Sequence, residues 1–334
     1  MKIRRLTRSP IPIRRRRDTG VAKPTITRTE PNIKSIAWHK LTWIDIEQPT
    51  EMETEYLAEH YPFHHLDLDD CLSKKQLPKI DEYEDYFFMV FHFPVFNPEA
   101  RVTTPSQVSI FIGEDYLITL HQGDLKPLVT LFRVCETNEK TREESMGRSS
   151  GYLLYLILDR LVNYCFPILN RIGENIDEVE DRIFGKNPGA AFADLAVLRR
   201  DIISFRRIIR PQTAAVETLE QKEWPVFKED PEIYFGDIAD HLRTISGKLD
   251  DYRDVVEGLS DTNDVVISFR TSEVMRVLTV IATIMLPLTL VASILGMNIY
   301  PMPVESPAAF AGLMAAMAGI IVGMLAFFRS RRWI

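Results

Sequence analysis

Few stretches of this sequence carry groups that could do chemistry, and the most telling of them is uncharged. Gly296-Met297-Asn298 closes the run VLTVIATIMLPLTLVASILG, and ILGMNIYPMPVESP then leads into AAFAGLMAAMAGIIVGMLAFF. Copies of Asn298 gathered around an axis would present a ring of neutral amide oxygens. Such a ring can hydrogen-bond the water shell of a hard cation without stripping it, and without charge it does not trap the ion. Gly296 would let the backbone leave the helix, with Met297 packed behind the turn. A second group, HYPFHHLDLDDC (60–71), gathers three His, three Asp and a Cys. His60 and His64 stand at i, i+4, but His64 and His65 diverge on any helix, so the spacing suits no metal cleanly. It reads better as a helix start whose carboxylates favour the positive dipole end. The sequence contains no Gly-rich phosphate loop, nucleophile elbow or HExxH, so an enzyme reading has no support.

Asn298 can act this way only if the two apolar runs hold it at a membrane surface. Residues 277–296 and 308–328 carry no charge. At 1.5 Å per residue each gives roughly 30 Å of helix, the thickness of a hydrocarbon core. Both are expected to span, and neither is a signal peptide, since both lie at the C-terminal end. Arg329, Arg331 and Arg332 follow the second run, Arg276 precedes the first, and the loop between carries only Glu305. Positive residues stay inside, which places both termini in the cytoplasm and the loop outside a plasma (inner) membrane.

The charge is unevenly spread. The first seventeen residues hold eight Lys and Arg and no acid. Against an overall −7, with +2 beyond Arg276, residues 18–276 carry −17. The basic stretch is expected to be a disordered arm near anionic lipid. A nucleic-acid reading lacks any accompanying RNP, finger or helix-turn-helix pattern. An acidic body suits cations rather than polyanions. Cys71, Cys135 and Cys165 are isolated, as in a reducing cytosol without a disulfide frame.

Four regions are expected: an arm (1–35), an α/β domain (36–150), a helical region (151–276) and a two-span domain with a basic tail (277–334). LTWIDIE, DYFFMVFHF, QVSIFI and DYLITLH read as strands, broken by Gly113 and Gly123, with short helices at TEMETEYLAEHY and HHLDLDDCL. One helix is expected from Gly151 to Gly185 and a second ending at Pro211. A third begins near Tyr234 and runs to Gly296, roughly 95 Å. Its residues Ile238, Leu242, Ile245, Leu249, Tyr252, Val256 and Leu259 recur in steps of four and three, an a/d seam for neighbouring helices or copies of itself.

The same step continues into the first run through Met275, Thr279, Ala282, Leu286, Thr289, Ser293 and Gly296. Val277, Ile281, Ile284, Leu288 and Val291 occupy other faces. Small and hydroxyl residues on a span serve close helix packing in the bland reading. In the other they line a pore. One helix encloses nothing, so a pore needs a ring of subunits, with the second helix and its Gly319-xxx-Gly323 pair outside.

The stretch TSEVMRVLTVIATIMLPLTLVASILGMN, a short loop, a second span and a basic tail together closely resemble the CorA-type divalent-cation transporters. Their hallmark is a Gly-Met-Asn triplet at the outer end of the first of two C-terminal spans. The resemblance is strongest over 230–334 and extends from about residue 36. It implies a funnel-shaped homopentamer whose long stalk helix becomes the pore-lining helix, taking up Mg²⁺ and often Co²⁺ and Ni²⁺. Leu295 stands where the family often has an aromatic residue, and Ile299 where Phe is common. Preference between magnesium and the zinc of the related ZntB-type branch is therefore left open. The resemblance also implies an intersubunit Mg²⁺ sensor with Asp237, in YFGDIADH, as one ligand. The matching partner position is Asn97, and Glu99 is the nearest carboxylate that could substitute. Apolar rings at Met275, Leu278 and Leu286 are the expected gate, and Glu305 is expected to attract cations at the mouth. The competing reading from another class is a membrane-tethered adaptor or sensor that moves no ions. It explains two spans and a large cytosolic part but not the hydroxyl-bearing stripe ending in Gly-Met-Asn.

Overall fold

The computed structural model describes residues 30–73, 76–185, 188–221, 230–297, 306–331 and 333. Most of the basic arm, Asn298 and Glu305 lie outside the described residues.

Alternating apolar and polar residues build a six-stranded sheet from β1 (Ile33–Trp38), β2 (Leu41–Glu47), β3 (Lys79–Glu82), β4 (Phe87–Asn97), β5 (Val102–Ile112) and β6 (Tyr116–His121). The spatial order is β1-β2-β6-β5-β4-β3, and only β2 and β6 run parallel. β2 coincides with the stretch expected from its alternation. Strict period-two placement sends Ile44, Ile46, Phe88 and Phe111 to one core, under α1 (Glu51–His60) and α2 (His65–Leu72). Trp43, Met89, Phe91 and Ile110 go to the other, under α3 (Lys126–Thr137), α5 (Ser150–Asn163), α6 (Cys165–Phe184) and the long helices beyond. α4 (Glu139–Met146) joins α3 to α5. His64 caps α2, its Nδ1 accepting from the Leu66 N–H at 3.3 Å, and Asp67 takes the Tyr86 hydroxyl at 3.1 Å. The His/Asp cluster is thus a helix start.

Two proline effects depart from expectation. The helix expected from Gly151 to Gly185 is interrupted at Tyr164, between α5 and α6. Pro167 has no N–H for the Asn163 carbonyl and its ring crowds that carbonyl, so the hydrogen-bond ladder is interrupted at one residue, while Tyr164 keeps helical angles and the helix continues to Phe184. Pro211 does not end α7 either, which runs from Pro188 to Gln221. Ile208, Ile209, Ala215, Val216 and Leu219 stay buried on both sides of it, and this packing outweighs one lost hydrogen bond.

α8 spans Pro231–Leu295, about 98 Å of continuous helix. Asp230 caps it, accepting from Glu232 N–H at 3.0 Å. Ile238, Leu242, Ile245, Leu249, Val256 and Leu259 are all buried and Tyr252 is half-buried, so the a/d seam meets neighbouring helices of the same chain. α7 runs antiparallel to α8, cross-tied by Arg243 to Glu217 (2.8 Å) and Arg206 to Asp250 (2.6 Å). The sheet is fastened to α7 at buried Asp201, which accepts from Thr103 N–H at 2.5 Å, while Ser204 donates to the Thr103 carbonyl at 2.6 Å. α9 (Pro307–Ser330) packs back on the upper part of α8.

Candidate cation path and metal cluster

Along the upper part of α8, Val280 and Leu288 are buried, with Ile284, Pro287, Val291 and Leu295 half-buried. α9 packs on this part of α8, and its own less exposed stripe is made by Leu313, Met317, Ile321, Met324 and Phe328. Thr279, Ala282, Leu286, Thr289 and Ser293 are all exposed. At 100° per residue the two stripes point about 180° apart. The span therefore offers its small and hydroxyl residues to whatever lies opposite α9. Thr279 and Thr289 donate their hydroxyls to the carbonyls of Met275 (2.7 Å) and Met285 (2.8 Å), one turn back. Their hydroxyl oxygens keep lone pairs for an outside donor such as water. Met275, Leu278 and Leu286 are exposed as well, so within one chain none of the candidate gate residues touches a partner that would close it. Gly296 and Met297 end the helix, and the Gly296 N–H returns to Ala292 O at 2.9 Å. Gly319 and Gly323 face away from α8, with no atom within 4 Å of where a Cβ would stand.

The stripe does not stop at the membrane. Stepping back in the same fours and threes from Met275 reaches Ser272, Ser268, Val265, Asp261, Gly258, Asp254, Asp251 and Gly247, every one of them exposed. α8 thus carries two seams: an apolar one buried in the chain, and a small, polar and acidic one left open from Gly247 to Gly296. Sequence reasoning caught only the upper half of the second seam, although tracing the same period backwards finds the rest.

Lower on α8, Asp237 and His241 share a face one turn apart, and Asp159 of α5 comes up against them. One ligand atom from each lies within 4.8 Å of the others, with His241 Nε2 4.0 Å from Asp237 Oδ1. The Nδ1 of His241 is buried without a hydrogen-bond partner. Burial raises the Asp159 carboxyl above its ordinary value; the Asn163 amide, donating at 2.8 Å, lowers it, and the charge on Asp237 raises it further. Two carboxylates and an imidazole suit a divalent cation, with oxygen for Mg²⁺ and nitrogen for the later transition metals. Asp237 was expected from sequence; Asp159 and His241 were not. The Asp237-xxx-His241 spacing is visible in the sequence, whereas Asp159 arrives only through helix packing.

Glu99 does not join this cluster within one chain. It sits exposed in the β4–β5 turn, which Asn97 ties by accepting from the N–H groups of Glu99 (3.0 Å) and Ala100 (3.1 Å). Arg101 pairs with Asp194 near the start of α7 (3.1 Å), whereas Gly236 lies beside Glu220 near its other end. Those ends are separated by about 39 Å of helix. Within this chain Asp237 and Glu99 cannot share an ion.

A family model described as CorA-like Mg²⁺ transporter protein matches residues 38–332. The chain belongs to this family. It is accordingly a membrane-bound divalent-cation transporter. YfjQ of Bacillus subtilis is 30% identical over 305 residues, covering 89% of this chain and 90% of its own. The cobalt/magnesium transport protein CorA of Thermotoga maritima is 29% identical, covering 88% of this chain and 83% of its own. The complete CorA structure from Methanocaldococcus jannaschii superposes with TM-score 0.76 over 90% of this chain and 94% of that one, at 24% identity. The cytoplasmic domain of ZntB from Vibrio parahaemolyticus shares the fold more distantly, with TM-score 0.56 at 17% identity over 73% of this chain and 89% of that one.

Proposed function

We propose that this chain is a subunit of a homopentameric Mg²⁺ uptake channel of the plasma (inner) membrane, also admitting Co²⁺ and Ni²⁺, with both termini cytoplasmic. The observation that carries this reading is the open stripe of α8, exposed from Gly247 to Gly296, whose upper part from Thr279 to Ser293 is turned about 180° from α9. Five such stripes around an axis enclose a path of Thr and Ser hydroxyls above and Asp carboxylates below, with α9 on the lipid side. Asn298 completes the outer mouth with neutral oxygens that order a hydrated ion. Glu305 concentrates cations there. The sequence carries no Gly-rich phosphate loop, and the driving force we assign is the membrane potential, worth about 4.6 kcal/mol for a divalent ion at 100 mV. Apolar rings at Met275, Leu278 and Leu286 close the path by dewetting. Cytosolic Mg²⁺ at Asp237, with Asp159 and His241 beside it, holds the acidic bodies together and keeps the gate shut. Losing the ion lets the bodies repel and the stalks splay.

The test is potential-driven uptake into liposomes, assayed with Mg²⁺ and with Zn²⁺. Asn298→Ala should abolish Mg²⁺ entry while the assembly elutes unchanged in detergent. Wild-type flux through this variant would refute the role of Asn298. A monomeric or dimeric wild type would favour the adaptor reading, and selective Zn²⁺ entry the ZntB-like one.

A further inference from the structure

The middle of α7 reads LRRDIISFRRIIR (198–210), five arginines and one carboxylate inside a region 18–276 that carries −17. The arginines divide into two sets. Arg206 and Arg210 turn to α8 and both reach Asp250, at 2.6 and 3.2 Å. Arg199, Arg200 and Arg207 are exposed and, among the described residues, have no ion-pair or hydrogen-bond partner.

These three guanidinium groups line an open groove of about 560 Å³ between α7 and the start of β5. Val102, Ala196 and Ile203 add apolar surface, and among the described residues no carboxylate lines it. The acids of this part of α7 are engaged elsewhere. Asp194 holds Arg101 at 3.1 Å and Arg182 at 2.6 Å. Asp201 is buried and turned to the sheet, where it accepts from Thr103 N–H. Arg200 and Arg207 are seven residues apart, nearly two turns, so they stand on one face about 10 Å apart with Ile203 between them. A guanidinium keeps its charge at any working pH, and three without a counter-charge repel one another.

We propose that this groove binds a small oligophosphate anion. Arginine presents a planar fork that takes two oxygens of one phosphate at once, and a phosphate chain offers successive phosphates to Arg199, Arg200 and Arg207. The groove has the volume of a small-ligand site. A lipid headgroup is the other source of phosphate, and the groove lies too low for it. Arg206 meets Asp250, 27 residues before Val277, about 40 Å below the uncharged run. Arg199, two turns nearer the membrane on antiparallel α7, is still about 30 Å below it, whereas headgroups extend roughly 5–8 Å. The groove shares no residue with the open stripe of α8 or with the metal cluster, so it adds to the transport reading without depending on it.

Calorimetric titration of the full-length protein in detergent with sodium triphosphate, at a fixed free Mg²⁺ concentration, tests it. Wild type should bind saturably. Arg200→Gln and Arg207→Gln should each weaken binding by about tenfold, through the loss of charge-assisted hydrogen bonds. Arg210→Gln, whose guanidinium is held by Asp250 outside the groove, should weaken it by about twofold at most. No saturable binding to wild type, unchanged affinity in the two groove variants, or an equal loss in all three overturns the proposal. Citrate binding more tightly than triphosphate overturns the assignment to phosphate. The variants are also compared by elution: a smaller assembly in Arg200→Gln or Arg207→Gln would make these arginines a contact between copies, and overturns it as well. In vesicles of phosphatidylcholine with and without phosphatidic acid, equal triphosphate affinity supports a free anion, and competition by the acidic lipid overturns it.

Discussion

The two halves of α8 have the same secondary structure and opposite surroundings. Below residue 266 its apolar seam is covered by α6 and α7, and residues such as Ile238, Ile245 and Leu249 are fully buried. Above residue 275 it carries a denser set of apolar side chains, yet only Val280 and Leu288 are buried, and Leu286 is 69% exposed. In water the upper half would be untenable, because exposed apolar surface costs about 25 cal/mol per Å². The lower half is thus stabilised by its own chain, whereas most of the apolar surface of the upper half is left for surroundings outside the chain. A helix divided in this way can transmit a change in the cytosolic bodies into the membrane without refolding.

The sharpest contrast between the halves is in stability. Leu249→Ala removes a fully buried side chain and should cost about 2–5 kcal/mol, lowering the thermal midpoint of the purified protein by several degrees. Leu290→Ala, on an exposed position of the upper half, should leave the midpoint nearly unchanged in detergent. Equal losses at the two positions would mean that the upper half is packed as tightly as the lower.

That division was legible in the sequence because both seams obey one period. The step of four and three marks Ile238 to Leu259 and Met275 to Gly296 alike, and composition tells which belongs to lipid. The β2 strand was legible for a similar local reason. Prolines misled because their chemistry is local while their outcome depends on what is packed around them. Pro167 interrupts the ladder at Tyr164 without ending the helix, whereas Pro211 is carried through by the apolar face of α7 against α8. The Asp159 contact was out of reach for a different reason: it joins α5 to α8 across a separation of 78 residues, and no period links them. The lower extension of the open stripe, Gly247 to Ser272, was readable and went unread because its Asp and Gly residues resemble an ordinary solvated face.

A smaller effect is expected at the metal cluster. Limited proteolysis of the stalk should be slowed by Mg²⁺ in the wild type by about tenfold, and less in Asp237→Ala and Asp159→Asn. Protection should also depend on pH. Because the folded state raises the Asp159 carboxyl above 3.8, chiefly by burial, it keeps its proton to a higher pH than an ordinary aspartate, and the cation needs that proton gone. Ion-dependent protection should therefore be full near neutral pH. It should fade as pH falls through the raised value, before ordinary carboxylates titrate. Equal protection of wild type and both variants at all pH values would remove these residues from the sensor.

The smallest effect belongs to Glu305, because an attraction exerted through water is screened. Glu305→Gln should reduce initial Mg²⁺ uptake at low ionic strength by about two- to threefold and have little effect near 1 M salt. An unchanged rate at low salt and low Mg²⁺ would dismiss this residue as a concentrator of cations.

The central claim is that the stripe turned away from α9 faces the ion, and thiol blocking tests it most directly. Ser293 lies on that stripe and Val291 on the α9 side, while the three native cysteines are buried. Mg²⁺ uptake into liposomes is measured before and after a cationic thiosulfonate is applied to wild type, Ser293→Cys and Val291→Cys. The account predicts block of Ser293→Cys alone. Block at Val291 with Ser293 untouched, or equal block at both, would contradict it.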